Sequence, residues 1–395
     1  MPWKQTNAMN QRSEFVLRAV ATDNFRKLCR EYGISFKTGY KWKQRFLAEG
    51  LAGMAEQSRR PEQSPGGLDE AVVCEIIRLK QAHPNWGPRK IRELYARAHE
   101  RQAPSESSFK RILERAGLVE KRRLRSREQS GRLYTGRRAS APNEVWTVDF
   151  KGWWHGAQGG RCEPLTVRDE FSRYVLELRR LENAKTATVR ACFEKIFERY
   201  GLPAAIRSDN GAPFASVHGL LGLTRLSAWW LALGIDLERG RPGCPQDNGG
   251  HERFHLDIAR ELERARLGEE QSVLDLWRQS FNEERPHEAL HMRCPAEVYG
   301  KSSRKYSGPL QDLSYPGLRT LRVTNAGCIC LRGAWIFISS ALSGWSVGLE
   351  PTSCEGLWNV WFGRLCLGQI DAQRMSFKSA EAIVLETAPT PQEAA

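Results

Sequence analysis

Apolar positions in the first third of the chain recur every third or fourth residue, the spacing of amphipathic helices. In "DNFRKLCREYGISFKTGYKWKQRFLAEG" (23–50), Leu28, Cys29 and Tyr32 share one side of a first helix. Gly33 offers a left-handed residue at its end, and Ser35 a side-chain oxygen to cap the helix that follows. That second helix presents Lys37, Thr38, Lys41 and Gln44 around Tyr40, Trp42 and Phe46. After the Pro- and Gly-containing "RRPEQSPGGLDE" the pattern resumes in "LDEAVVCEIIRLKQAHP", in "GPRKIRELYARA" with Pro88 near its start, and in "PSESSFKRILERAGLVEKR" with Ser105 or Ser107 as cap. Phe109, Ile112 and Leu113 turn inward there, leaving Lys110 and Arg111 outward. Two helix-turn-helix units in tandem are the result.

From 145 the period changes. "VWTVDFKGWW" and "EPLTVRDEFSRYVLELRRL" read as three strands with a turn at Asp169–Ser172. "TATVRACFEKIFERYG" is a helix closed by Gly201, "LPAAIRSD" a short buried strand, "TRLSAWWLALG" a helix and "IDLERG" a strand. "NGGHERFHLDIARELERARL" and "VLDLWRQSFNEERPHEAL" supply two more helices. Strands followed by alternating helices and strands imply a mixed sheet flanked by helices. From about 305, short alternating runs bounded by Gly, Asn and Pro predict a small all-β barrel or sandwich, and "ETAPTPQEAA" reads as disordered. The organisation expected is a helix-turn-helix domain at 1–58, a second at 66–119, a basic linker at 120–140, an α/β core at 141–302, a β domain at 305–385 and a tail at 386–395.

Charge sharpens this division. Residues 1–140 hold 30 basic and 15 acidic residues, whereas 141–395 hold 30 and 31. The surplus therefore sits with the helix-turn-helix units, as expected of a region that meets a polyanion such as double-stranded DNA. The linker adds Arg122, Arg123 and Arg125, which can track phosphates whatever the base sequence. Lys37, Thr38, Lys41 and Gln44 of the first unit, and Lys110 and Arg111 of the second, are the expected groove and backbone contacts. The ten cysteines are scattered without metal-site spacing, and the N-terminus "MPWKQTNAMN" has no apolar leader. These features predict a soluble protein of the cytoplasm, not associated with membranes.

Three acids carry the candidate chemistry. Asp149 ends the first core strand, Asp209 ends the strand after the first core helix, and Glu252 opens a later helix. If the two strands are neighbours, their carboxyl ends bring the aspartates together. Singly, each acid has an ordinary explanation: a strand end, an Asp-Asn-Gly turn, a first-turn acid favoured by the helix dipole. Together, unpaired carboxylates repel one another unless a cation joins them. Hard oxygen ligands suit Mg²⁺ or Mn²⁺, and two ions about 3.5–4 Å apart serve in-line phosphoryl transfer.

These residues also resemble a known group. "WTVDFKG", "RSDNGAPF" and "RPGCPQDNGGHERFH" are similar to the D, D and E motifs of the retroviral-integrase superfamily, most closely those of bacterial insertion-sequence transposases. "HPNWGPRKI", "SSFKRILERAGLV" and "NEERPHEALHMRCPAEVY" match the same group, so the resemblance spans roughly residues 10 to 300. It implies an RNase H-like core, a catalytic triad of Asp149, Asp209 and Glu252, and a homo-oligomer acting on terminal inverted repeats and target DNA. Cys244 stands where relatives usually carry His, and Asp247 where Gln is common.

Two rival readings follow from the same residues. "HERFH" fits H-E-x-x-H, the pattern of a zinc peptidase, with His251 and His255 as ligands. It leaves Asp149 and Asp209 without a role, so His251, Arg253 and His255 are read instead as DNA contacts, one of the histidines alternatively orienting Glu252. The other rival is a DNA-binding regulator with an inactive core, which an intact acid triad argues against.

Overall fold

The computed structural model describes residues 7–56, 68–119, 136–155, 159, 161–241, 249–263, 271–381 and 383. The chain forms two compact units, Met1–Glu70 and Ala71–Ala395.

The first unit holds α1 (Ala8–Ala21), α2 (Phe25–Glu31) and α3 (Phe36–Glu49). The side chains of Asn7, Asn24 and Ser35 each accept a backbone N–H of the helix they precede. Gly33 has φ +61°, as the α2–α3 turn requires. Gly39 has no room for a side chain, because a Cβ there would lie 2.6 Å from Cys29 Sγ. The sequence reading begins at α2 and misses α1, although Phe15, Val16 and Ala19 of α1 are buried against Leu28, Cys29 and Trp42. Tyr40, read as part of an apolar set, is exposed and accepts a hydrogen bond from Gln44.

The second unit opens with α4 (Glu70–Ala82), α5 (Pro88–Ala98) and α6 (Glu106–Arg115), packed around Ile76, Trp86, Ile91, Phe109 and Leu113. Ser105 is the cap of α6, accepting Ser108 N–H.

The core sheet follows: β1 (Val145–Phe150), β4 (Pro164–Asp169), β5 (Val175–Arg180), β6 (Ala205–Ser208) and β7 (Asp236–Arg239), in the order β5-β4-β1-β6-β7. Between β1 and β4 lies a two-residue hairpin, β2 (Trp154–His155) and β3 (Arg161–Cys162), too short to read from sequence. β5, β4 and β1 are antiparallel, while β1, β6 and β7 run parallel. α7 (Thr186–Tyr200) and α8 (Arg225–Ala232) pack with Phe193, Phe197, Trp229 and Trp230 on one face, against Trp146, Leu165 and Leu176. α9 (Gly249–Ile258) and α10 (Gln271–Glu283) cover the other face through Phe254, Ile258, Leu274 and Phe281. Three antiparallel strands continued by two parallel ones between helical layers make an RNase H-like core.

An open sheet edge exposes unpaired backbone groups. On β5 the side chains of α10 meet them. Asn282 accepts Val175 N–H at 2.8 Å and donates to Val175 C=O at 3.0 Å, and Gln271 does the same for Arg180 N–H and Leu178 C=O.

The C-terminal part is all antiparallel. A five-stranded sheet in the order β14-β13-β12-β11-β8 comprises β8 (Arg319–Arg322), β11 (Ser346–Pro351), β12 (Leu357–Phe362), β13 (Leu365–Asp371) and β14 (Ser376–Ser379). A separate hairpin, β9 (Cys328–Leu331) with β10 (Ala334–Phe337), shares its apolar core. Leu223, Ala228 and Leu231 of the α/β core contribute to that same cluster, so the β domain rests on α8.

Candidate active site

β1 and β6 pair in parallel with Val145 beside Ala205, Trp146 beside Ile206 and Thr147 beside Arg207. Continued by two residues, that register sets Asp149 beside Asp209 at the carboxyl ends of both strands. Glu252 lies in the first turn of α9, with its side chain exposed. The Asp149 carboxyl is pushed up to about 7, first by burial and then by the charge of Asp209; Phe150 N–H opposes the shift and Glu252 adds to it. Both other acids therefore act on Asp149. Asp209 is also raised by burial, against a hydrogen bond from Gly211 N–H. A Cβ at Gly211 would lie 2.8 Å from Asp209 Oδ2, which explains the glycine of "SDNG".

Among the described residues no Lys or Arg lies within ion-pair distance of Asp149, Asp209 or Glu252. His255 Nδ1 lies 3.8 Å from an Asp149 carboxylate oxygen. Nor, among those residues, are three His, Cys, Asp or Glu side chains gathered closely enough to hold a cation. The uncompensated acids nevertheless fit a divalent cation by chemistry, since Asp149, raised by burial and by the charges of Asp209 and Glu252, is a hard oxygen ligand that positive charge would relieve.

The helix bearing Glu252 is fastened to the sheet. His251 is fully buried; its Nδ1 lies 2.8 Å from Thr147 Oγ1 and its Nε2 lies 2.6 Å from Thr166 Oγ1. His255 Nε2 lies 2.9 Å from the same Thr166 hydroxyl, which donates to Asp149 C=O at 2.8 Å. With neutral rings both imidazoles donate through Nε2 to Thr166, and the Thr147 hydroxyl, which also lies 3.3 Å from Arg168 C=O, donates to Nδ1 of His251. His251 is held well below the ordinary range by burial foremost, with His255 and Arg168 adding to it, and His255 is pushed down to about 3 by burial, Lys151 and Arg168. Arg168, buried on β4, donates to Gly250 C=O at 2.7 Å, and a Cβ at Gly250 would collide with it.

This placement corrects the reading of His251 as a DNA contact: it has no exposed surface, and both ring nitrogens are engaged. It also removes the zinc-peptidase alternative, because Thr166 occupies the Nε2 atoms of both histidines. His255 is mostly buried beside Asp149, while Arg253 is about half exposed. Lys37, Lys41 and Gln44 are exposed on α3 and Thr38 is half-buried. Lys110 and Arg111 are exposed on α6. Arg122, Arg123, Arg125, Cys244 and Asp247 lie outside the described residues. Asp169 closes the β4–β5 turn, accepting Ser172 N–H at 2.8 Å and Asn143 N–H at 2.7 Å.

Sequence reasoning missed Thr147, Thr166 and Arg168. The available signal was alternation: Thr147 and Asp149 share a face of β1, and Thr166 and Arg168 a face of β4.

Domain families match along most of the chain. A Helix-turn-helix domain covers residues 11–62 and a Homeodomain-like domain 38–113. Two families, both described as Integrase core domain, cover 139–245 and 233–295, and the C-terminal domain of the IS481 family transposase covers 318–378. The chain belongs to the insertion-sequence transposases with an integrase core. This transposase is 26% identical to a 31.7 kDa protein of insertion element IS407 from Burkholderia multivorans, over 66% of its own length and 91% of the relative's. It is 26% identical to a 39.2 kDa protein of insertion element IS476 from Xanthomonas euvesicatoria, over 62% of its own length and 70% of the relative's. Among solved structures, the catalytic core domain of BIV integrase is 24% identical, covering 40% of the transposase and 93% of that domain with a TM-score of 0.32.

Proposed function

We propose that the transposase cuts DNA at the ends of its mobile element and joins the freed strand to target DNA, with Asp149, Asp209 and Glu252 as the catalytic, metal-holding triad. What supports this is that Asp149, at the end of β1, feels the charge of both Asp209, just past β6, and Glu252 of α9, with no Lys or Arg paired to any of the three among the described residues. Mg²⁺ or Mn²⁺, two ions per site, supplies when bound the charge stabilisation that attacking and leaving oxygens need. In cleavage, a water oxygen bonds to phosphorus at the element end and the 3′-oxygen leaves, taking up a proton. In transfer, that 3′-hydroxyl oxygen bonds to a target phosphorus and a target 3′-oxygen leaves, so phosphodiester bonds are exchanged without an external energy source. His251 and Arg168 keep α9 in place while this occurs. α3 and α6 present Lys37, Thr38, Lys41, Gln44, Lys110 and Arg111 to the terminal repeats, and on α9 the half-exposed Arg253 adds a contact beside Glu252 while His255, mostly buried next to Asp149, contributes only at the edge of the triad. Joining two ends calls for at least two protomers. No helix among the described residues is long and apolar enough to cross a membrane.

The test is nicking of duplex DNA carrying the element's genomic flanks in the presence of Mg²⁺. Asp149→Asn, Asp209→Asn and Glu252→Gln are each expected to abolish nicking and strand transfer while end binding persists. Substantial activity in any one removes that residue from the triad. Sequence-specific binding by a wild-type chain that never cuts would establish a regulator instead.

A further inference from the structure

Two of the strings that resemble the transposases, "HPNWGPRKI" and "NEERPHEALHMRCPAEVY", have no part in the chemistry above, yet the fold brings them together. The first spans the α4–α5 turn and the start of α5. Buried Lys80 braces that turn, donating to Pro84 C=O at 2.5 Å and Trp86 C=O at 2.8 Å, and His83 stacks on Trp86 at 4.0 Å. The second runs from the end of α10 through the loop beyond it. Arg97 of α5 reaches into that loop, to Met292 C=O at 2.9 Å, Cys294 Sγ at 3.1 Å and Glu297 at 3.2 Å. Arg89 pairs with Glu288 at 3.2 Å.

Between these contacts sits Arg285. It is 4% exposed and bridges Asp257 and Glu261, both at 3.0 Å. Asp257 is in the last turn of α9, and Glu261 in the π-helical turn that continues it. Lys90 of α5 lies within the field of Asp257, Glu261, Glu288 and Arg285; burial foremost, then Arg285, takes its ammonium down to about 8 against the pull of the acids. His83 and Trp86 line one cleft of ≈ 180 Å³ together with Glu261 and Arg285. The near end of α9 is thus held by the sheet through His251 and Arg168, and its far end by Arg285 beneath the second helix-turn-helix unit.

We propose that Arg285 is a positioning residue through which the docked α4–α6 unit fixes the far end of α9, so that Glu252 takes its place only while that unit is docked. The unit then serves as a support of the active site as well as a reader of DNA. For cleavage this rests on the functional reading above; for the anchoring of α9 it does not. A helix released at one end pivots about the other, and a displacement of about 1 Å at a catalytic group costs on the order of 10²-fold in rate.

The test uses the full chain and two variants, Arg89→Ala/Arg97→Ala, which weakens docking, and Arg285→Lys, which keeps the charge but lacks the planar fork needed to bridge two carboxylates. Amide hydrogen exchange reports local opening. The expected result is exchange in 249–258 faster by about tenfold or more in both variants with α7 unchanged, and nicking at saturating end DNA slowed about tenfold or more while end affinity stays within about threefold. α9 exchange at the wild-type rate in both variants overturns the proposal, and so does exchange rising equally in α7 and α9. Should the wild-type chain fail to nick DNA at all, the functional reading fails, and the exchange comparison still decides the anchor.

Discussion

The Thr166 hydroxyl lies 2.6 Å from Nε2 of the fully buried His251, so β4 grips the helix that delivers Glu252 one residue further on. The same hydroxyl donates to the carbonyl of Asp149. One side chain thus links the strand of one candidate acid to the helix of another, and neither partner touches solvent.

His251→Phe keeps a ring of similar breadth but removes one hydrogen bond from each of Thr147 and Thr166, which keep those to Arg168 C=O and Asp149 C=O. The expected loss is about 1–3 kcal/mol, at about 0.5–1.5 kcal/mol for each lost bond. Urea denaturation followed by Trp fluorescence measures it. End-DNA affinity and its salt dependence should not change in the folded variant. A reduced salt slope at unchanged stability would return His251 to the DNA-contact set.

A carboxyl at about 7 in the folded chain, against an ordinary 3.8, has a definite sign for stability. Between those values the folded chain holds a proton that the unfolded chain has released, so stability falls as pH rises from about 4 through about 7. In metal-free protein the Tm of wild type should therefore decline over this window relative to Asp149→Asn. Added Mg²⁺ at pH 7.5 should recover the loss in wild type and not in the variant. Parallel Tm curves for the two proteins would show that Asp149 is not under this strain.

What the sequence made legible was local or carried by a fixed spacing. Gly33, Ser35 and Ser105 announce turns and caps through backbone chemistry that depends on few neighbours, and each does that job in the fold. The parallel register follows from a strand-helix-strand crossover, which left little choice about where Asp209 would lie relative to Asp149. α1 was harder, because Leu17 and Val20 are exposed on a helix whose buried face is narrow. The burial of His251 could not be read from "HERFH", since its partners come from strands 104 and 85 residues away. The bonds from Arg97 to the loop after α10 span up to 200 residues, and no periodicity encodes such a contact.

On α3, Lys37 and Lys41 are exposed one helical turn apart. If both neutralise phosphates at the element ends, Lys37→Ala/Lys41→Ala should flatten the log–log salt dependence of end binding by about 1.8, at about 0.9 per phosphate on duplex DNA. Fluorescence anisotropy on a labelled end across a salt series reads this directly. A slope equal to wild type would place the duplex on another face of the first unit. Lys110→Ala/Arg111→Ala makes the same test for α6.

Asn282 offers the sharpest test of how the edge of the core is closed. Its amide is 4% exposed and pairs with both backbone groups of Val175, as a neighbouring strand would. Asn282→Leu is close in shape but can neither accept nor donate, leaving one N–H and one C=O of β5 unpaired beneath α10. At about 1–3 kcal/mol for each buried group, the expected destabilisation is about 2–5 kcal/mol. The Val175 amide should lose protection from hydrogen exchange well ahead of β1, because only the edge strand is opened. Gln271→Leu should cost less, since the Arg180 N–H it serves lies at the more exposed end of β5. The defect also bears on the site, because Val175 pairs with Arg168, and Arg168 holds Gly250 at the start of the Glu252 helix. Slower nicking by Asn282→Leu at a temperature where it remains folded would therefore report transmission through β4. Unchanged stability together with an unchanged Val175 exchange rate would mean that α10 covers the edge by packing alone and that the amide is dispensable.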